Sequence, residues 1–131
     1  MKIVATVLVA TALLAPFSAN AGDIRLVSDK QLCDSAPPLD KAALVTVRKV
    51  KRNVFVSVTA ELNCAYTPGK PALREWRNAA TVLVETVSPS GMATSCLCQH
   101  KMEYEITGLY EGTKTIYYVQ DGTVLGHVPA P

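Results

Sequence analysis

The chain is poor in the residues that most catalysis needs. It has two histidines, His100 and His127, so a serine–histidine–carboxylate triad would have to be built on one of them. His127 lies near the end of the last apolar run and reads as an edge or surface residue. No phosphate-binding glycine loop occurs, and Gly108, Gly112, Gly122 and Gly126 read as turn or strand-end residues. The carboxylates Glu103 and Glu105 are two apart on a polar strand face, the pattern of a solvated surface rather than of a general acid and base. Charge of one sign is scarce as well: the formal net charge is +2, which gives no long-range field for DNA, RNA or an anionic membrane. There is no amphipathic helix of three turns, no internal repeat and no low-complexity linker. What remains is a single expected domain behind a leader, with no cofactor implied.

The leader is read from three zones. Lys2 gives a positive start, Ile3 to Ala15 is apolar apart from Thr6 and Thr11, and Pro16 precedes Ala19-Asn20-Ala21. Small residues at the first and third positions of that triplet fit signal peptidase, so residues 1–21 are expected to be removed and 22–131 to form the mature domain. The apolar run falls short of the about 20 residues that a bilayer span wants. No cysteine follows the cut, which excludes lipid attachment there. A periplasmic or secreted location follows, with no membrane span after processing.

Downstream of the leader the apolar period is two. Val54, Val56, Val58, Ala60 and Leu62 share one face while Phe55, Ser57, Thr59 and Glu61 take the other, the signature of a half-buried strand. Met102, Tyr104 and Ile106 alternate in the same way. Further strands are expected over 43–50, 80–87, 115–120 and 123–128. Lys51-Arg52-Asn53, Ser88-Pro89-Ser90-Gly91 and Asp121-Gly122 are turn signals, the last a strong type I′ hairpin. Only 71–77 could make a helical turn, with Pro71 first and Leu73 and Trp76 three apart. The pattern predicts an all-β, antiparallel β-sandwich or, second, a small barrel.

Four cysteines, Cys33, Cys64, Cys96 and Cys98, allow three pairings. A Cys96–Cys98 bridge would strain an extended segment. Residues two apart in a strand face the same way, so Cys96 and Cys98 are each free for a different partner. The expectation is two disulfides joining Cys33 and Cys64 to Cys96 and Cys98, in either order, as suits an exported domain of this size.

The run from Cys96-Leu97-Cys98-Gln99-His100 through Met102-Glu103-Tyr104-Glu105-Ile106 to Gly108-Leu109, then Gly112-Thr113, with Asn63-Cys64 before it, carries a resemblance. It is similar to small bacterial secreted proteins and lipoproteins with an immunoglobulin-like (fibronectin-type) sandwich and a C-x-C strand, mostly of undefined function. The resemblance covers roughly 54–120 and implies an immunoglobulin-like fold stapled by disulfides. The family commonly has an aromatic where this chain has His100, and a Tyr where it has Lys114.

Two sharper readings of the cysteines compete with staples. Cys96, Cys98 and His100 alternate on one strand face and could ligate Zn²⁺ or Cu⁺, with Cys64 nearby; the thiols would have to stay reduced. A thiol redox pair is the third reading, but C-x-C here opens a strand rather than a helix. Two surface features point to a partner instead. Arg48-Lys49-Val50-Lys51-Arg52 gathers cations at a hairpin, where they also guard a strand edge. Arg74, Trp76 and Arg77 lie in the long connection 65–78, and Trp and Arg are favoured contact residues; a sole Trp in a small domain equally suits a core or lid residue that caps one end of the sandwich. The reading is therefore an exported, non-catalytic binding or structural module of the cell envelope, whose partner is an unknown protein.

Overall fold

The computed structural model describes residues 22–34 and 37–131; the expected leader, 1–21, lies outside the described residues. Ten strands occur among them: β1 (Asp23–Leu32), β2 (Ala43–Val50), β3 (Asn53–Asn63), β4 (Thr67–Pro68), β5 (Ala72–Trp76), β6 (Ala79–Val84), β7 (Thr86–Val87), β8 (Leu97–Thr107), β9 (Thr115–Gln120) and β10 (Thr123–Pro129). The alternation read in β3 is realised residue by residue, with Val54, Val56, Val58, Ala60 and Leu62 buried. Cys98, His100, Met102, Tyr104 and Ile106 form the matching buried row of β8.

Two four-stranded sheets, β1-β8-β3-β2 and β10-β9-β6-β5, carry these rows, and β4 pairs with β7 apart from them. Ala80, Val82 and Val84 of β6 and Ile116 and Tyr118 of β9 join the rows of β3 and β8 in one apolar cluster. Two sheets that share one buried layer make a sandwich. Across that layer the rings of Tyr104 and Tyr118 lie 6.3 Å apart, tilted by 37°. Truncating a fully buried residue such as Ile106 to alanine costs about 2–5 kcal/mol, a large share of the ~5–15 kcal/mol that holds an average domain together.

Three expectations are corrected. The sandwich is antiparallel except where β6 and β9 pair in parallel; β8 intervenes in the opposite sheet, so the chain returns running the same way. The strand order also departs from the A-B-E-D and C-F-G sheets of an immunoglobulin domain. Here β2 and β3 stay in one sheet because the two-residue turn Lys51-Arg52 joins Val50 directly to Asn53. So short a turn cannot cross a layer about 10 Å thick. Finally, 72–76 is a strand, β5, and not a helical turn. It pairs with β6 from Ala72↔Leu83 to Trp76↔Ala79, so backbone ladder bonds replace the local bonds a helix would use. The first strand, β1, had no counterpart among the expected strands.

An irregularity in β1 positions the staples. The register against β8 shifts between Leu26 and Ser28, leaving Val27 as the extra residue of a bulge. Ile24 and Leu26 face inward before it. After it Asp29 stands opposite Met102, Gln31 opposite His100 and Leu32 opposite Gln99. Continued by one pair, that register sets Cys33 against Cys98.

Candidate functional site

At one end of the sandwich four cysteines extend the two ladders of β8. Cys33 is bonded to Cys98, their Cα atoms 4.3 Å apart. Cys64 is bonded to Cys96 at a Cα separation of 5.5 Å, and the Cys64 N–H donates to the Cys96 carbonyl at 3.1 Å. Both are cross-strand bridges between directly opposed residues, one to each neighbour of β8. Register thus decides the order that the sequence left open. Disulfides of this kind persist in oxidising, extracytoplasmic compartments.

The metal reading needs these sulfurs as thiolates. The sulfur atoms of Cys64, Cys96 and Cys98 lie within 4.8 Å of one another, but each is spent in a bridge. His100 does not belong to that group. Its ring is 1% exposed, and Nδ1 lies 2.8 Å from Asp29 Oδ1. Its Nε2 is buried without a partner. The turn of Asp29 to the side of the buried β8 row after the bulge supplies the imidazole's companion, a contact no motif announces.

Beside this end, Tyr104 donates to Met102 Sδ at 3.3 Å and Tyr118 to Gln120 Oε1 at 2.9 Å. Burial pushes both phenols well above the ordinary tyrosine range; Tyr118 adds to the rise at Tyr104, whereas Tyr104 partly offsets the rise at Tyr118. Both therefore stay neutral near pH 7. On the outer face of the first sheet, Glu105 accepts from Arg25 and Glu103 from Arg48, each at 3.0 Å. Arg48 also lies 4.2 Å above the Phe55 ring. Such exposed pairs are worth about 0–1 kcal/mol, and they account for the two glutamates as a paired surface ladder. His127 sits on β10 with its ring 5.6 Å from that of Tyr117, exposed as expected.

The other end of the sandwich is different in kind. Trp76 closes the β5–β6 hairpin and is 74% exposed, so it caps no core. Arg77, in the following two-residue turn, places its guanidinium 5.8 Å from the Trp76 ring. Arg74 is exposed on the same strand. The expected long loop 65–78 is therefore two strands and a tight turn that project a tryptophan. Glu75 fixes this turn to its surroundings. Its carboxylate accepts the Gly22 N–H at 3.0 Å and the Tyr110 N–H at 2.9 Å. Tyr110, 60% exposed, is thereby brought to the Trp76 end. A Cβ on Gly112 would come within 2.4 Å of the Tyr110 ring, so only glycine permits that ring's placement. Neither Tyr110 nor Glu75 stood out in the sequence; an exposed-aromatic role had no period or motif to mark it.

The β2–β3 hairpin ends at this same end, since Asn53 pairs with Thr107 at the exit of β8. Lys49, Lys51 and Arg52 line a cleft of about 540 Å³ with Gly108, Leu109 and Glu111. The ion pairs among the described residues use Arg25, Arg48 and His100; none uses these three cations or Arg77. No family model matches the chain, and no characterised protein or solved structure is significantly similar to it.

Proposed function

We propose that the protein is an exported, non-catalytic binding module of the cell envelope, with its contact surface at the Trp76 end of the two-sheet sandwich. The observation that carries this reading is Trp76 itself, 74% exposed at a hairpin tip and flanked by Arg74 and Arg77. Leaving so large an apolar surface in water forgoes about 1.5–3 kcal/mol of burial, a cost that contact with a partner would recover. The disulfides support export, and the cysteines then act as staples. A metal-binding role ranks second; it would call on Cys64, Cys96 and Cys98 only after both bridges were reduced.

The test is site-specific photocrosslinking in intact cells. A photoreactive residue at position 76 is expected to give adducts several-fold above one at position 121, in the hairpin turn of the opposite end. Equal yields at the two positions would overturn the assignment of the contact surface.

A further inference from the structure

Three segments distant in sequence converge at the Trp76 end: the β2–β3 turn, the β5–β6 turn and the connection from β8 to β9. Each contributes exposed cations or aromatics. The first carries Lys51 and Arg52, with Lys49 in the strand beside them; the second carries Trp76 and Arg77; the third carries Tyr110 and Lys114. Lys30, Lys41, Lys70 and Lys101 elsewhere also lack an acidic partner among the described residues, so what sets this end apart is that its unpartnered cations stand beside two exposed aromatics.

Backbone conformation at these turns adds a second, independent observation. Lys51 has φ 56° and Arg77 φ 55°, in the left-handed region that suits glycine and asparagine. The corresponding turn at the stapled end uses Asp121 and Gly122 at positive φ, the residues such hairpins favour. Both turns at the Trp76 end instead hold a cation where the local preference is against it. Residues kept in disfavoured conformations point to a use for the side chain.

Given the contact surface assigned above, on which this step rests, we infer that the partner is an anionic phospholipid surface. Lipid phosphates would enter the cleft lined by Lys49, Lys51 and Arg52, and Trp76 and Tyr110 would lie at headgroup level. Trp and Tyr prefer the membrane–water interface because their rings have one apolar and one polar side, and basic side chains near an anionic leaflet add attraction that salt screens. An acidic protein is the competing occupant, since Trp and Tyr also serve protein contacts, and the polyglutamate control separates the two. The cleft's single carboxylate, Glu111, faces three cations, which leaves a surplus suited to a phosphate.

Trp76 is the only tryptophan in the chain, so its emission reports docking without a label. The oxidised protein is mixed with phosphatidylcholine vesicles with and without phosphatidylglycerol, and bound protein is measured by sedimentation. Binding and a blue shift are expected only with phosphatidylglycerol, and both should fade at about 0.5 M salt. Each cation near such a surface is worth about fivefold in partitioning, so Lys49→Gln/Lys51→Gln/Arg52→Gln should bind about a hundredfold more weakly. Lys49→Gln/Arg52→Gln, which leaves the Lys51 turn untouched, should lose about 25-fold and guards against a folding defect in the triple variant. Protein that stays in the supernatant with anionic vesicles overturns the inference, as does undiminished binding by a folded variant. Equal affinity for polyglutamate without a blue shift also overturns it, in favour of an acidic protein. If crosslinks at position 76 persist when vesicle binding fails, the lipid assignment falls and the contact surface stands.

Discussion

At the residue scale the most consequential pair is His100 and Asp29. An imidazole 1% exposed in an apolar row keeps one nitrogen partnered by the carboxylate and the other unpartnered. The costs of removing the two partners are unequal. Asp29→Ala leaves a buried ring with no partner at either nitrogen, a penalty of about 1–3 kcal/mol. His100→Phe removes the buried polar atoms altogether and leaves a carboxylate that is 22% exposed and open to water. We therefore expect denaturant unfolding to show Asp29→Ala as the more destabilised variant by about 1 kcal/mol or more, with His100→Phe close to wild type. The reverse order would mean that the packing of the imidazole, and not its hydrogen bond to Asp29, governs the site. The position was legible in sequence as part of an inward row, whereas its partner was not, because Asp29 reads as a surface residue until the bulge turns it to the side of that row.

At the scale of the strand, β1 shows how one extra residue changes the reading. Ile24 and Leu26 are even-numbered and share the side of the buried β8 row; after Val27, which stands outside the ladder, the odd-numbered Asp29 and Gln31 take that side, though both remain exposed. Deleting Val27 should therefore leave that set unchanged, since the pairs Asp29↔Met102 and Gln31↔His100 survive in a regular strand. The deletion variant is expected to oxidise to the same two bridges, Cys33–Cys98 and Cys64–Cys96, on non-reducing peptide mapping. An alanine inserted between Lys30 and Gln31 moves Cys33 opposite Leu97 and should give mispaired or free Cys33. Native pairing in the insertion variant would show that register does not select the bridge. The same bulge explains why β1 was missed: its alternation breaks midway and its second half puts polar residues on the side of the buried row. The strands β2 and β9, by contrast, match their expected bounds, because uninterrupted alternation between clear turns leaves one solution. β5 was misread because Leu73 and Trp76 sit at helical spacing, while the inward position between them is taken by Glu75, a charge stabilised by two backbone N–H donors.

For the whole molecule, the sandwich separates what holds it together from what it presents. Both bridges lie at the end where β8 begins, and Lys49, Lys51, Arg52 and Arg77 with the exposed Trp76 and Tyr110 lie where β8 ends. Between them run the buried rows of β3 and β8, from Leu62 and Cys98 to Val54 and Ile106. The C-x-C pair made the staples visible in sequence; the opposite end stayed hidden because it is assembled from three separated segments that only the fold unites. The bridges close sequence separations of 65 and 32 residues, and in the chain-entropy model each restricts the unfolded chain by about 3–4 kcal/mol. Replacing Cys64 and Cys96 together by serine should lower Tm by about 10 °C or more. Because that penalty acts on the unfolded chain and on the far end, the contact end should keep its geometry in the variant while it remains folded. Well below its Tm, the double variant is expected to bind phosphatidylglycerol vesicles with wild-type affinity and an unchanged Trp76 blue shift. Lost binding in a variant that still unfolds cooperatively would show the two ends to be coupled through the core, and would make the redox state of the bridges a control on docking.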